Sequence, residues 1–177
     1  MAPSDLDFLV FFAELQSIRR DLVLRGKPTL IIVHSYSCVR SPKGCIPGEE
    51  VRSAWLTWDG GSHQLPLSTP HLLLLDYIAR HSRIPQNARQ IEEGLNEDHM
   101  RFYLQHASNA PSRTAVPPRT TRTAVPKQIE RIREQLGLFF KTEKIQLDPK
   151  GLLRSLPTSS REVRYSVDAI VRIEHSH

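Results

Sequence analysis

Guanidinium, ammonium and amide side chains gather in RTAVPPRTTRTAVPKQIERIREQL, residues 113–136, as Arg113, Arg119, Arg122, Lys127, Gln128, Arg131 and Arg133. Arg161 and Arg164 follow in the later run TSSREVRY. Groups of this kind do anion and base-edge chemistry. An arginine fork fits a phosphate or the O6/N7 edge of guanine, lysine acts as a point charge on phosphate, and a glutamine amide matches adenine. On this reasoning Gln128 and Arg131 are the expected base readers, with Lys127, Arg122 and Arg133 on phosphates and Arg113 and Arg119 on the approach. Arg161 and Arg164 suit a backbone or minor-groove contact. The competing reading is that Arg131 and Arg133 only pair with Glu130 or Glu134 on a solvated helix.

Charge placement favours a polyanionic partner. The chain carries a net +5, yet residues 1–112 hold 11 Lys/Arg against 12 Asp/Glu, whereas residues 113–177 hold 13 against 7. A localised basic half points to nucleic acid more than a uniform drift would.

Catalysis finds little to work with. The sequence has no glycine-rich phosphate loop, no Ser or Cys nucleophile motif and no metal-ligand pair at helical spacing, so no enzyme and no cofactor are expected. Cys38 and Cys45, in YSCVRSPKGCI, read as two reduced thiols, with a disulfide as the alternative. His34 and His63 could join them on zinc, but the spacing matches no common ligand pattern, and no metal is expected.

Hydrophobic content of 39% is that of an ordinary soluble domain, and no apolar run approaches the roughly 20 residues of a membrane span. The N-terminus, MAPSDLDFLVFFAELQ, has acids where a signal peptide carries positive charge, so a cytoplasmic protein is expected.

The elements that must position these residues follow from periodicity. Phe8, Phe11, Phe12, Leu15, Ile18 and Leu22 recur at helical spacing after Ser4, which predicts a helix to about residue 24 whose apolar face must pack on the domain's sheet or on the same helix of a second copy. TLIIVHSYSCV, residues 29–39, reads as a strand, and RSPKGCIPGEE as a turn after it. Asp59-Gly60-Gly61 turns a hairpin within 51–68. A helix begins at Ser68 or Thr69 with Leu72, Leu75, Ile78 and Ala79 inward, then a short helix capped by Asn87, then a further helical segment from Glu97. Val125, Ile129, Ile132 and Leu136 stripe a helix over about 125–141. At about 100° per residue its outward face is Lys127, Glu130, Arg131, Glu134 and Leu138. A helical turn after Asp148 and a terminal β-hairpin, about 152–172, close the chain.

This order from residue 51 resembles the OmpR/PhoB-type winged-helix DNA-binding domain of bacterial transcription regulators. The resemblance is carried by DGGSHQLPLSTPHLLLLDYIARH, by TAVPKQIERIREQLG and by REVRYSV, with Ile129, Ile132, Arg133, Leu136 and Tyr165 at the matching positions. It implies an α+β fold: a winged helix-turn-helix with an N-terminal antiparallel sheet and a C-terminal wing, preceded here by the N-terminal helix. Residues 1–50 would be an extension for dimerisation and 51–177 the winged-helix domain, with a basic loop at 109–125. The implied function is sequence-specific binding of double-stranded DNA by a homodimer, with the transcription machinery as a further partner. A winged-helix adaptor that binds proteins is the alternative. The 50 residues before the match are too few for the receiver domain that the family usually carries, so phosphorelay control is not implied.

Overall fold

The computed structural model describes residues 26–41, 44–107 and 120–176. These residues form an α+β structure of four helices and two sheets. The expected N-terminal helix with Phe8, Phe11, Phe12, Leu15, Ile18 and Leu22, as well as Arg113 and Arg119, lies outside the described residues.

β1 (Thr29–Ser41) and β2 (Gly44–Trp58) pair antiparallel from Thr29↔Thr57 to Ser41↔Gly44. The stretch expected as a turn is therefore mostly strand: residues 44–50 pair with β1 despite two glycines and a proline. A register shift between Tyr36 and Cys38 takes up the irregularity. The same register sets Cys38 opposite Pro47 and Cys45 opposite Arg40, so the cysteines are diagonal neighbours on the ladder.

β3 (Gly61–Gln64) returns against β2 with Trp58 opposite Gly61. Asp59 and Gly60 alone make the turn, with φ of 49° and 77°, the left-handed pair that a two-residue hairpin demands. Ala54 and Leu56 on β2 face the core with Leu30 and Ile32 of β1, while Trp55 and Trp58 are both half-buried.

α1 (Thr69–Arg80) follows, with Pro70 in its first turn. Leu72, Leu75, Ile78 and Ala79 are buried as expected, but so are Leu74, Asp76 and Tyr77. The helix is enclosed on nearly all sides because it packs against β2 as well as against three elements that come later in the chain.

β4 (Gln86–Asn87) leads directly into α2 (Ala88–Ala107), one helix of 20 residues where two segments were expected. Asn87 Oδ1 accepts from the Gln90 amide at 2.9 Å, and the Asn87 amide donates to Gln90 Oε1 at 3.0 Å, a reciprocal cap. The polar run at Asn96-Glu97-Asp98 does not interrupt it, since Asn96 and Asp98 bond outward to other segments. Gly94 lets α2 approach α1: a Cβ there would sit 2.0 Å from the Tyr77 hydroxyl.

α3 (Ala124–Thr142) buries Val125, Ile129, Ile132, Leu136 and Phe140 on one stripe. Asp148 then caps the single turn α4 (Pro149–Leu152), accepting from the amides of Lys150 and Gly151. β5 (Leu153–Pro157) and β6 (Val163–Val167) form an antiparallel hairpin that β4 extends into a three-stranded sheet, in the order β4-β6-β5.

The hairpin expected over about 152–172 ends at Val167. β7 (Ile170–Ser176) crosses to the other sheet and runs parallel to β1, completing the order β3-β2-β1-β7. Asp168 fixes this crossing: its amide donates to the Leu152 carbonyl, and its carboxylate pairs with Lys27 at 2.7 Å and with Arg154. β1, expected in an extension before residue 51, is thus an inner strand between β2 and β7, and the boundary drawn at residue 50 falls inside β2.

Candidate nucleic-acid interface

The start of α3 is fixed from outside the helix. The Asn96 side chain of α2 bonds both the amide and the carbonyl of Thr120, each at 2.9 Å, so the chain is clamped four residues before the helix begins. Thr121 then accepts from the amides of Ala124 and Val125. Arg122, in this clamped turn, is exposed.

Because the apolar stripe of α3 is buried, its opposite face is left outward. Lys127, Glu130, Arg131, Glu134 and Leu138 are all exposed, Leu138 to 70%. The cations occupy the N-terminal half, where the helix dipole adds positive potential. Gln128 lies off this face. It is half-buried, and its Oε1 is buried with no hydrogen-bond partner among the described residues. It is poorly set for the base contact expected of it.

Arg133 departs furthest from expectation. It is only 8% exposed, and its guanidinium is committed within the protein. Nε and Nη2 donate to the Leu153 carbonyl at 2.9 and 2.5 Å, Nη2 also donates to Ser155 Oγ at 2.8 Å, and Nη1 donates to Glu130 at 2.5 Å. A phosphate contact is therefore replaced by a bolt between α3 and β5. The signal was present in the spacing: residues 129, 132, 133 and 136 form an i, i+3, i+4, i+7 set, so Arg133 stands at a core position of the stripe. Tyr165 of β6 lies beside this group, and burial pushes its hydroxyl above the ordinary tyrosine pKa, with the Arg133 charge opposing.

The hairpin tip is a tight turn. The Thr158 amide donates to Glu162 and the Arg161 amide to Thr158, while Thr158 Oγ1 bonds both Ser160 Oγ and the Glu162 carbonyl. Arg161 has φ of 61°, a left-handed conformation that a non-glycine residue adopts at some strain. Arg161 and Arg164 are both exposed. Asn87 pairs with Arg164 across the β4–β6 ladder and donates to the Glu162 carboxylate at 3.2 Å, so the hairpin is braced from β4 as well as from Arg133. Of the expected site residues, Arg122, Lys127 and Arg131 are exposed at the start of α3 and Arg161 and Arg164 on the hairpin, while Gln128 and Arg133 turn away from solvent.

A second polar cluster lies among residues that no sequence motif singles out. Asp76 of α1 is fully buried, and Arg52 Nη1 meets its Oδ2 at 2.5 Å. Arg80 Nε and His34 Nε2 lie 3.3 and 3.5 Å from Oδ1. Burial alone would raise this carboxyl's pKa. The neighbouring His34 imidazole and the Arg80 and Arg52 charges outweigh it, and the carboxyl is held below its ordinary value. Arg80 continues to Asp98 of α2 at 2.7 Å, so the cluster ties β1, β2, α1 and α2 together. Arg52, Arg80 and His34 all converge on the one Asp76 carboxylate, as suits an anchor.

Among the described residues, no group of three or more His, Cys, Asp or Glu is arranged to hold a metal ion, and no helix is long and apolar enough to cross a membrane. Compared with protein-family models, with curated proteins and with solved structures, the chain finds no match.

Proposed function

We propose that this chain is a winged helix-turn-helix module of the OmpR/PhoB kind that binds double-stranded DNA as a transcription regulator. In this reading α3 enters the major groove and the β5–β6 hairpin lies on the backbone or in the minor groove. One observation carries it. Lys127 and Arg131 on α3, and Arg161 and Arg164 on the hairpin, are exposed on two elements that the buried Arg133 joins. The element order from α1, through the two-residue strand β4, to α2, α3 and the hairpin supports the same plan. A homodimer paired through the expected helix of residues 5–24 would present two such surfaces to two half-sites.

A protein-binding adaptor is the second reading, and Leu138, 70% exposed on a face that also carries Glu130 and Glu134, favours it. Titrating salt against binding to a random-sequence duplex separates the two. Phosphate contacts from the exposed Arg122, Lys127, Arg161 and Arg164 would give a log–log slope near −3.6, at about −0.9 per contact. No binding in low salt overturns the DNA reading and leaves the adaptor.

A further inference from the structure

Lys127, Arg131, Glu134 and Leu138 follow one another at steps of four, three and four residues, so they form a single ridge along the outward face of α3. The ridge is chemically ordered: two cations, a carboxylate, then an apolar side chain. All four are exposed, and neither Arg131 nor Glu134 has an ion-pair or hydrogen-bond partner among the described residues. A ridge that only held phosphates would be basic throughout, and Glu134 would be repelled there.

The chemistry fits base edges instead. In the major groove a carboxylate can accept from the cytosine amino group, an arginine fork pairs with guanine O6 and N7, and an apolar side chain packs on the thymine methyl. The spacing agrees: at about 1.5 Å per residue, Arg131 to Glu134 spans about 4.5 Å and Glu134 to Leu138 about 6 Å, one to two base-pair steps each.

Resting on the DNA-binding reading above, we infer that this ridge reads an ordered half-site. Arg131 takes guanine, Glu134 takes the amino group of cytosine on a neighbouring base pair, and Leu138 takes a thymine methyl one or two steps further on. Lys127 sits on the flanking phosphate. Glu130 is excluded from reading because its carboxylate is bound to Arg133. The specificity-determining set is thereby smaller than the exposed face.

The test is selection of duplexes from a randomised pool by the full chain in low salt, followed by sequencing. Arg131→Ala, Glu134→Gln and Leu138→Ala are run beside it, with circular dichroism to verify that these surface variants stay folded. The expected result is a selected motif containing guanine, cytosine and thymine in that order. Arg131→Ala should lose about tenfold of the preference for guanine. Glu134→Gln should move the cytosine position toward adenine, whose N6/N7 edge fits an amide. Leu138→Ala should weaken the thymine preference alone. Binding without sequence preference, or a preference that the folded variants leave unmoved, overturns this inference while DNA binding stands. Absence of binding to every duplex overturns the underlying reading and the inference with it.

Discussion

Arg133 donates twice to the carbonyl of Leu153, at 2.9 and 2.5 Å, and so joins the middle of α3 to the first residue of β5. Removing it leaves the buried Leu153 carbonyl without this donor and the exposed Ser155 hydroxyl without its partner. Arg133→Met keeps the apolar volume and deletes the forked donor, and should destabilise the protein by about 2–3 kcal/mol, since hydrogen bonds to charged groups are the stronger kind. Arg133→Lys should recover only part, because an ammonium cannot reproduce the fork. Urea midpoints of the three proteins measure this, and equal stability of Arg133→Met and the parent would refute the bolt.

At Gly94 the constraint is steric. A Cβ would meet the Tyr77 hydroxyl at 2.0 Å and two of its ring carbons at 2.6 and 2.8 Å. Alanine ordinarily stabilises a helix interior by up to about 1 kcal/mol over glycine. Here Gly94→Ala should instead lower stability by about 1–3 kcal/mol through overpacking. Tyr77→Phe in the same chain should relieve it only in part, as the ring carbons remain. A thermal midpoint for Gly94→Ala at or above the parent's would contradict the close approach of α1 and α2.

Much of this architecture was written in periodicity, and the failures have identifiable causes. The Asp59-Gly60 turn and the stripe of α3 could be read because each follows from a local rule: paired positive φ angles in one case, a 3.6-residue repeat in the other. GCIPGEE looked like a loop because glycine and proline are depleted in strands, but pairing with β1 overrides that preference. The break expected within α2 falls at Asn96-Glu97, beside Asp98, and the polarity of Asn96 and Asp98 serves Thr120 and Arg80 across the structure. The apolar alternation that resumes after Asp168 makes β7 look continuous with the hairpin, and what separates them is a long-range ion pair to Lys27. At the candidate site, the exposed cations of α3 followed from helical phase. Arg133 is the exception: its charge suggests a surface contact, but its i+4 place on the stripe puts it inside.

Asp76 gives the protein a pH-dependent component of stability. Its folded pKa is depressed, so the stabilisation is fully present above the unfolded carboxylate's value of about 3.9 and disappears as pH falls through the lower folded value. Asp76→Asn removes the charge while retaining the shape and leaves Arg52 and Arg80 without their shared anion. At pH 7 it should lower stability by about 3 kcal/mol, the low end for breaking a buried pair, because Arg80 is partly exposed. The gap between variant and parent should narrow steadily below pH 4. Urea titrations at pH 7 and pH 3 decide the matter: a gap of the same size at both would show that the carboxylate's charge contributes nothing.

Salt dependence separates cations that meet phosphate from those that merely add to the net charge. Lys127 on α3 and Arg164 on the hairpin are exposed on the proposed DNA side, whereas Arg172, equally exposed, belongs to β7 in the other sheet. Each of Lys127→Ala, Arg164→Ala and Arg172→Ala removes one positive charge, so a generic electrostatic effect would treat them alike. Phosphate contact predicts otherwise. The first two should each reduce the steepness of the log–log salt plot by about 0.9 and weaken binding to all duplexes uniformly, since phosphates carry no sequence information. Arg172→Ala should leave the slope within error of the parent. Fluorescence anisotropy on one labelled duplex at several salt concentrations gives all three slopes. Equal reductions in the three variants would place the attraction in the protein's overall charge and remove α3 and the hairpin as a defined interface.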